Sequence, residues 1–284
     1  MAMGGSWTAS DVAGLLRRPT AEDDKYSRGV LGIRTGSAEY PGAAVLGVEA
    51  AWRTGIGMVR YVGAAREAVL QRRPETVAHA GRVQAWLIGS GTDAASRAVD
   101  ETHALRDILS GEAPVVVDAG ALDLASGAAA PLVVTPHDRE HTRLRESVGL
   151  GTAPGSDADP DARAAAAAET AAALGASVLL KGSTTVVAAP SGSLRFVDAG
   201  TPWLATAGTG DVLGGVIGAL VAAASAIEIP DAESLADLAA AGAWLHGRAA
   251  RVAVERLGPA GGPITALDVA EALPYVVAEV LAAH

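Results

Sequence analysis

The chain has 284 residues, enough to bury a large core, and 50% are hydrophobic while only 4% are aromatic, so Ala, Val and Leu must supply most of that core. Its 22 basic and 32 acidic residues leave a net charge of −10, which argues against a nucleic-acid or anionic-membrane surface but not against a phosphorylated small molecule in a local pocket. There is no cysteine, which removes disulfides, thiolate metal sites and thiol nucleophiles.

Residues 1–10 lack the basic segment and apolar core of a signal peptide. The longest apolar run, 212–227, is shorter than the ~20 residues of a membrane span and stops at Glu228, so a soluble, cytoplasmic protein is expected. From residue 29 onward, β-branched runs at 29–34, 57–62, 85–89, 114–118, 132–135 and 177–181 alternate with helical patterns that include 42–54, 94–109 and 161–174. That alternation predicts an α/β protein with a mainly parallel sheet. Runs at 184–189 and 193–197 flank Pro190-Ser191-Gly192 and predict an antiparallel hairpin. Helices follow at 211–226, 234–257 and 267–283, the last with Thr265 and Asp268 in an N-cap arrangement. Residues 149–161, rich in Gly, Pro and Asp, read as a loop inside one domain covering 1–284.

The most informative segment is Ala205-Thr206-Ala207-Gly208-Thr209-Gly210-Asp211 followed by an apolar helical run. Glycine at 208 and 210 permits positive φ and close approach of a ligand to the backbone. If a helix begins near Thr209, its first amides have no partner within the helix and can bind phosphate oxygens, aided by the helix dipole. The plainer alternative is that Thr209 or Asp211 only caps a core helix.

Other segments follow predicted strands, where ligands of open α/β sheets bind. Arg34 to Ala44 is a small-residue loop entering a helix, and Ile88-Gly89-Ser90-Gly91-Thr92 is a glycine turn. Asp118 ends a strand, where it either faces a metal or caps the next helix. Within Thr135-Pro136-His137-Asp138-Arg139-Glu140, His137 and Glu140 are candidate ligand contacts, although Glu140 equally suits a capping box on Thr or Asp. Lys181, followed by Gly182, Ser183, Thr184 and Thr185, suits a phosphate as a point charge with hydroxyl donors, or is simply a solvated strand-end lysine. No P-loop and no dinucleotide Gly-x-Gly-x-x-Gly fingerprint is present.

The order and spacing of Gly36-Ser37…Tyr40-Pro41-Gly42-Ala43, Arg53-Thr54-Gly55-Ile56-Gly57, Val117-Asp118-Ala119, Thr135-Pro136-His137, Lys181-Gly182 and Ala205 to Asp211 resemble the ADP- or ATP-dependent NAD(P)H-hydrate dehydratases of the ribokinase-like superfamily. The resemblance runs from about Lys25 to Leu281. It implies a three-layer α/β/α sandwich whose mainly parallel central sheet ends in a C-terminal antiparallel hairpin. It further implies substrate contacts at Ala43, Gly91, His137 and Asp211, and adenine-nucleotide contacts at Lys181 to Thr185 and Gly208 to Gly210. A homotetramer is expected by the same resemblance. Arg34-Thr35, Gly120, Asp138-Arg139 and Trp203 depart from the family pattern.

The reaction so implied repairs hydrated nicotinamide cofactor. A phosphoryl group from ADP or ATP, with Mg²⁺, converts the added hydroxyl into a leaving group; Asp211 takes the hydroxyl proton, and Lys181 and the 208–210 amides stabilise the phosphoryl group. No metal ligand is assigned. Two rivals stand beside it: a ribokinase-like kinase acting on a vitamin-precursor or sugar-like alcohol, and a catalytically idle nucleotide-binding protein. Lys181→Ala is expected to weaken nucleotide use far more than folding.

Overall fold

The computed structural model of the chain describes residues 6–155 and 158–283. Residues 1–5 of the N-terminal reading, and 156 and 157 of the predicted 149–161 loop, lie outside the described residues. In chain order the elements are α1 (Ala9–Ala13), β1 (Val30–Arg34), α2 (Pro41–Thr54), β2 (Met58–Tyr61), α3 (Arg66–Arg72), β3 (Ala85–Ile88), α4 (Val99–Leu109), β4 (Val115–Val117), β5 (Leu132–Val134), α5 (Asp138–Ser147), α6 (Pro160–Leu174), β6 (Ser177–Leu180), β7 (Thr185–Ala188), β8 (Leu194–Val197), α7 (Thr209–Ser225), α8 (Ala232–Glu255) and α9 (Ala266–Ala282). Short 3-10 turns cover Ala119–Leu124 and Pro202–Leu204.

The strands form one eight-stranded sheet in the order β2-β1-β3-β4-β5-β6-β7-β8. Pairing is parallel as far as β6 and antiparallel through β7 and β8, as the alternating pattern and the Pro190-Ser191-Gly192 turn predict. Both faces are covered, and the period of two is visible in what each residue meets. Leu87, Val116, Val133, Leu179 and Val187 join the core under α2, α7, α8 and α9. Their neighbours Ile88, Val117, Val134, Leu180 and Val186 join a second core with Leu105 of α4, Leu144 of α5 and Ala164, Ala167 and Ala171 of α6.

Few aromatic residues suffice because helices lie close together. At Gly215 of α7 an added Cβ would sit 2.3 Å from the Gly47 carbonyl oxygen of α2, so the two backbones touch where larger side chains would hold them apart. The Ala-rich α6 starts at Pro160, one residue before the predicted start, because the Asp159 carboxylate accepts from the Asp161 amide and Pro fits the first helical position. It ends at Gly175 with φ 64°. α4 begins at Val99 rather than 94: the Asp93 carboxylate caps a turn through the Ala95 amide, and Arg97 reaches away to Asp123 at 2.6 Å. Thr265 and Asp268 form the expected capping box at α9. Parallel strands β1 and β3 to β6 thus deliver their C-terminal ends to one edge of the sheet, next to the N-terminus of α7.

Candidate active site

Gly208 is the N-cap of α7 with φ 88°, a left-handed conformation that favours glycine. Among the described residues no side chain caps this helix. The Thr209 hydroxyl instead donates back to the Leu204 and Thr206 carbonyls, each at 3.0 Å, which ties down the preceding turn. The first amides of α7 therefore keep their donor capacity, and Asp211, third in the helix, is not a cap. Burial, followed by the negative charge of Asp118, pushes the Asp211 carboxyl up to about 6, against a pull downward from the Ser90 hydroxyl and Lys181.

Asp118 answers neither expectation made for it. Its side chain makes no cap bond to the 3-10 turn it precedes, and both of its oxygens are occupied by protein groups. Lys181 Nζ donates to Oδ1 at 2.8 Å, the Thr135 hydroxyl donates to the same oxygen at 2.8 Å, and the Ser90 hydroxyl donates to Oδ2 at 3.1 Å. Asp118 is only 3% exposed. Burial alone would raise its carboxyl, but the Lys181 charge and these three donors hold it below the usual range. Lys181 is correspondingly not a solvated strand-end lysine. Burial works against its charge, and Asp118 and then Glu140 raise it above the ordinary lysine value; Glu140 Oε2 lies 3.8 Å from Nζ. A Cβ added at Gly210 would stand 3.9 Å from Nζ, so the ammonium faces the first turn of α7.

His137 supplies the cap that was expected on Thr or Asp. Its Nδ1 accepts from the Arg139 and Glu140 amides at 3.1 and 3.3 Å, and its own amide donates to Glu140 Oε2 at 2.8 Å. The ring proton then resides on Nε2, 3.4 Å from Glu140 Oε1. Ala43 and Gly91 meet directly: a Cβ on Gly91 would be 2.5 Å from that of Ala43. Gly182 and Ser183 are exposed in the turn after β6, Thr184 is partly buried, and Thr185 opens β7 opposite Val197. Beside the cluster a cavity of about 340 Å³ is lined by Thr92, Asp93, Ala119, Gly120, Glu140 and Arg143 among others.

Sequence reasoning missed the partnership of Ser90, Asp118, Thr135 and Lys181. A signal existed: each follows the last apolar residues of a strand, and β3, β4, β5 and β6 lie side by side, so these polar groups end at one level.

The NAD(P)H-hydrate dehydratase family profile matches residues 31–274. The chain belongs to that family. The resemblance read from the sequence is therefore borne out, and it favours the dehydratase reading over the kinase. Among relatives of this NAD(P)H-hydrate dehydratase family member, the bifunctional NAD(P)H-hydrate repair enzyme Nnr of Mycobacterium leprae is 44% identical over 91% of this chain and 53% of its own length; the chain spans about half of such bifunctional relatives. The ADP-dependent (S)-NAD(P)H-hydrate dehydratase of Neisseria meningitidis is 38% identical over 85% of this chain and 83% of its own. The ADP/ATP-dependent NAD(P)H-hydrate dehydratase of Bacillus subtilis, co-crystallised with ATP and Mg²⁺, superposes with a TM-score of 0.82 at 26% identity, covering 99% of this chain and 100% of that one. The ribokinase-like sandwich is thereby established.

The departures from the dehydratase family pattern have local causes. Arg34 pairs through two nitrogens with Glu101, at 2.9 and 2.6 Å. Asp138 pairs with Arg163 of α6 at 2.7 Å. At Gly120 a Cβ would lie 2.2 Å from the Thr92 carbonyl oxygen, so the backbone here leaves no room for an acidic side chain. Trp203 is 45% exposed and turned outward. Among the described residues no helix is long and apolar enough to cross a membrane.

Proposed function

We propose that this chain dehydrates (6S)-NAD(P)H hydrate to NAD(P)H with an adenine nucleotide as phosphoryl donor, ADP giving AMP and phosphate. The observation that carries the reading is Asp211: a carboxylate that caps nothing, raised to about 6 by burial and Asp118, at the mouth of a helix whose first amides are free. A base poised near neutrality combines the deprotonated form with useful basicity.

In the proposed step the substrate hydroxyl loses its proton to Asp211 as its oxygen bonds to the donor's terminal phosphorus and the bond to the nucleotide's leaving oxygen breaks. Phosphate then departs with the ring C–O bonding pair, a proton leaves the adjacent carbon, and the dihydropyridine double bond is restored. The 208–210 amides and Lys181 stabilise the phosphoryl charge by position rather than by covalent chemistry. Lys181, Gly182, Ser183, Thr184, Thr185, Gly208, Thr209 and Gly210 are proposed as nucleotide contacts; Ala43, Gly91 and His137 as contacts to the hydrated dinucleotide.

The donor set does not form a protein cage for Mg²⁺. Among the described residues no group of three or more His, Asp or Glu side chains is gathered for a metal, and Asp118 is taken by Lys181, Thr135 and Ser90. Mg²⁺ would be carried in by the nucleotide phosphates and would supply counter-charge there. The reading extends to one ribokinase-like domain over 1–284, a cytoplasmic location and a homotetramer, the last checked by light scattering.

Product analysis tests the reaction. Phosphate should be released in equal amount to NADH formed. A stable phosphorylated alcohol, with the hydrate left unchanged, would establish a kinase instead.

A further inference from the structure

Polar residues follow the parallel strands at the site, Asp118, Thr135 and Lys181 directly after β4, β5 and β6 and Ser90 two residues after β3, yet of these four only Lys181 has a part in the proposed chemistry. Asp118 is the hydrogen-bond partner of Lys181. It is 3% exposed, follows β4 directly, and precedes Ala119, whose φ of 47° is the one positive value at a non-glycine residue among those described. A left-handed alanine is sterically unfavourable, and strain of this kind persists where surrounding contacts impose it. The neighbouring Asp118 side chain is held by Lys181 and Thr135 on Oδ1, both at 2.8 Å, and by Ser90 on Oδ2 at 3.1 Å.

An ammonium and a general base in one small site attract each other. Paired with Asp211, Lys181 would lower the basicity of that carboxylate and leave the phosphoryl position. Asp118 supplies a competing carboxylate, fixed by two hydroxyl donors, that the lysine meets first. We propose that Asp118 is a positioning residue which, clamped by Ser90 and Thr135, holds the Lys181 ammonium in place facing the first turn of α7. The inference rests on the dehydratase reading for what Lys181 and Asp211 do, but the geometry of the clamp does not depend on the identity of the acceptor.

The charged groups around the base are few. Asp118 on β4 and Lys181 beyond β6 face Asp211, with the Ser90 hydroxyl after β3. From α5, Glu140 faces Lys181 at 3.8 Å. From α8, His246 meets the Thr209 backbone and is pushed down to about 4 by burial, so it is neutral near pH 7. Removing the Asp118 charge therefore has one direction of effect on the base: Asp211 loses the neighbouring anion that raises it and gains a freed ammonium that lowers it.

The test uses the full chain with MgADP and NADH hydrate, in a cycle of wild type, Asp118→Asn, Lys181→Ala and the double variant. Calorimetry reads MgADP affinity, and turnover is followed across pH. In wild type, Lys181→Ala should weaken MgADP by about tenfold or more; in the Asp118→Asn background the same change should cost no more than about twofold, because the lysine is no longer aimed. Turnover of Asp118→Asn should fall by about tenfold or more, and the acid limb of its pH profile should move to lower pH. Should Asp118→Asn not fold, Thr135→Val and Ser90→Ala keep the charge but loosen the clamp, and the Lys181→Ala effect on MgADP should shrink in each. Equal losses from Lys181→Ala in every background, with an unmoved acid limb, would overturn the proposal and leave a merely structural ion pair. Failure of the dehydratase reading would show separately, as a wild type that binds MgADP but never converts the hydrate; the affinity cycle would still decide the clamp.

Discussion

Asp211→Asn separates a helix role from a chemical one, and the structure now assigns a sign to its stability effect. The side chain caps nothing, so a capping loss of about 1 kcal/mol is not expected. The rise of its carboxyl from 3.8 to about 6 means that the folded state disfavours the ionised form, by up to ~3 kcal/mol at about 1.4 kcal/mol per tenfold, less what residual solvent contact screens. A raised carboxyl contributes stability that is fully present below the unfolded value and lost as pH rises through the folded one. Above pH 6 the wild type has lost that contribution, whereas asparagine never ionises. The variant should therefore melt at or above the wild-type temperature at pH 8. Its MgADP affinity should stay within a few-fold of wild type, while turnover should fall by roughly a hundredfold to ten-thousandfold, the usual scale for losing a general base. Scanning calorimetry at pH 5 and 8, titration calorimetry and single-turnover kinetics measure the three quantities. Near-normal turnover, or a clear loss of stability at pH 8, would refute the argument.

Wild-type turnover should decline below about pH 6 as Asp211 takes up its proton, an acid limb that pH–rate profiles report and that Asp211→Asn should abolish along with the rate. Lys181→Ala, expected from the sequence to spare folding, should instead destabilise more than loss of a solvated lysine would, since it strands Asp118, 3% exposed, without its counter-charge; about 3 kcal/mol is the scale for breaking a buried pair, read from denaturant midpoints, and a loss under 0.5 kcal/mol would count against the pairing. Gly120→Asp should cost about 1–3 kcal/mol by overpacking against Thr92, visible as a lowered melting temperature.

Much of the sheet was legible because its strands are buried on both faces and therefore read as continuous β-branched runs such as Val115–Val117. α5 gave no such signal. Its sequence Asp138–Ser147 is dominated by charged residues, and what it buries includes His141 and Arg145 beside Leu144; His141 meets the Thr170 hydroxyl at 2.9 Å instead of an apolar partner. α1 and α3, at five and seven residues, are too short for a helical period to stand out. In the site, Gly208 to Asp211 is one contiguous segment whose chemistry could be read locally. Asp118 could not be read that way, because its partner Lys181 lies 63 positions later and only the order of strands brings them together. A strand-end aspartate alone fits a cap, a metal ligand or an ion pair equally well.

The most direct measurement of the central claim is recovery of the reduced-nicotinamide absorbance from purified NADH hydrate with the wild-type protein, in parallel with ADP, with ATP and with neither. The account predicts recovery only with an adenine nucleotide and Mg²⁺ present, accompanied by phosphate. Recovery at the same rate without nucleotide, or none under any condition with folded protein, would contradict it.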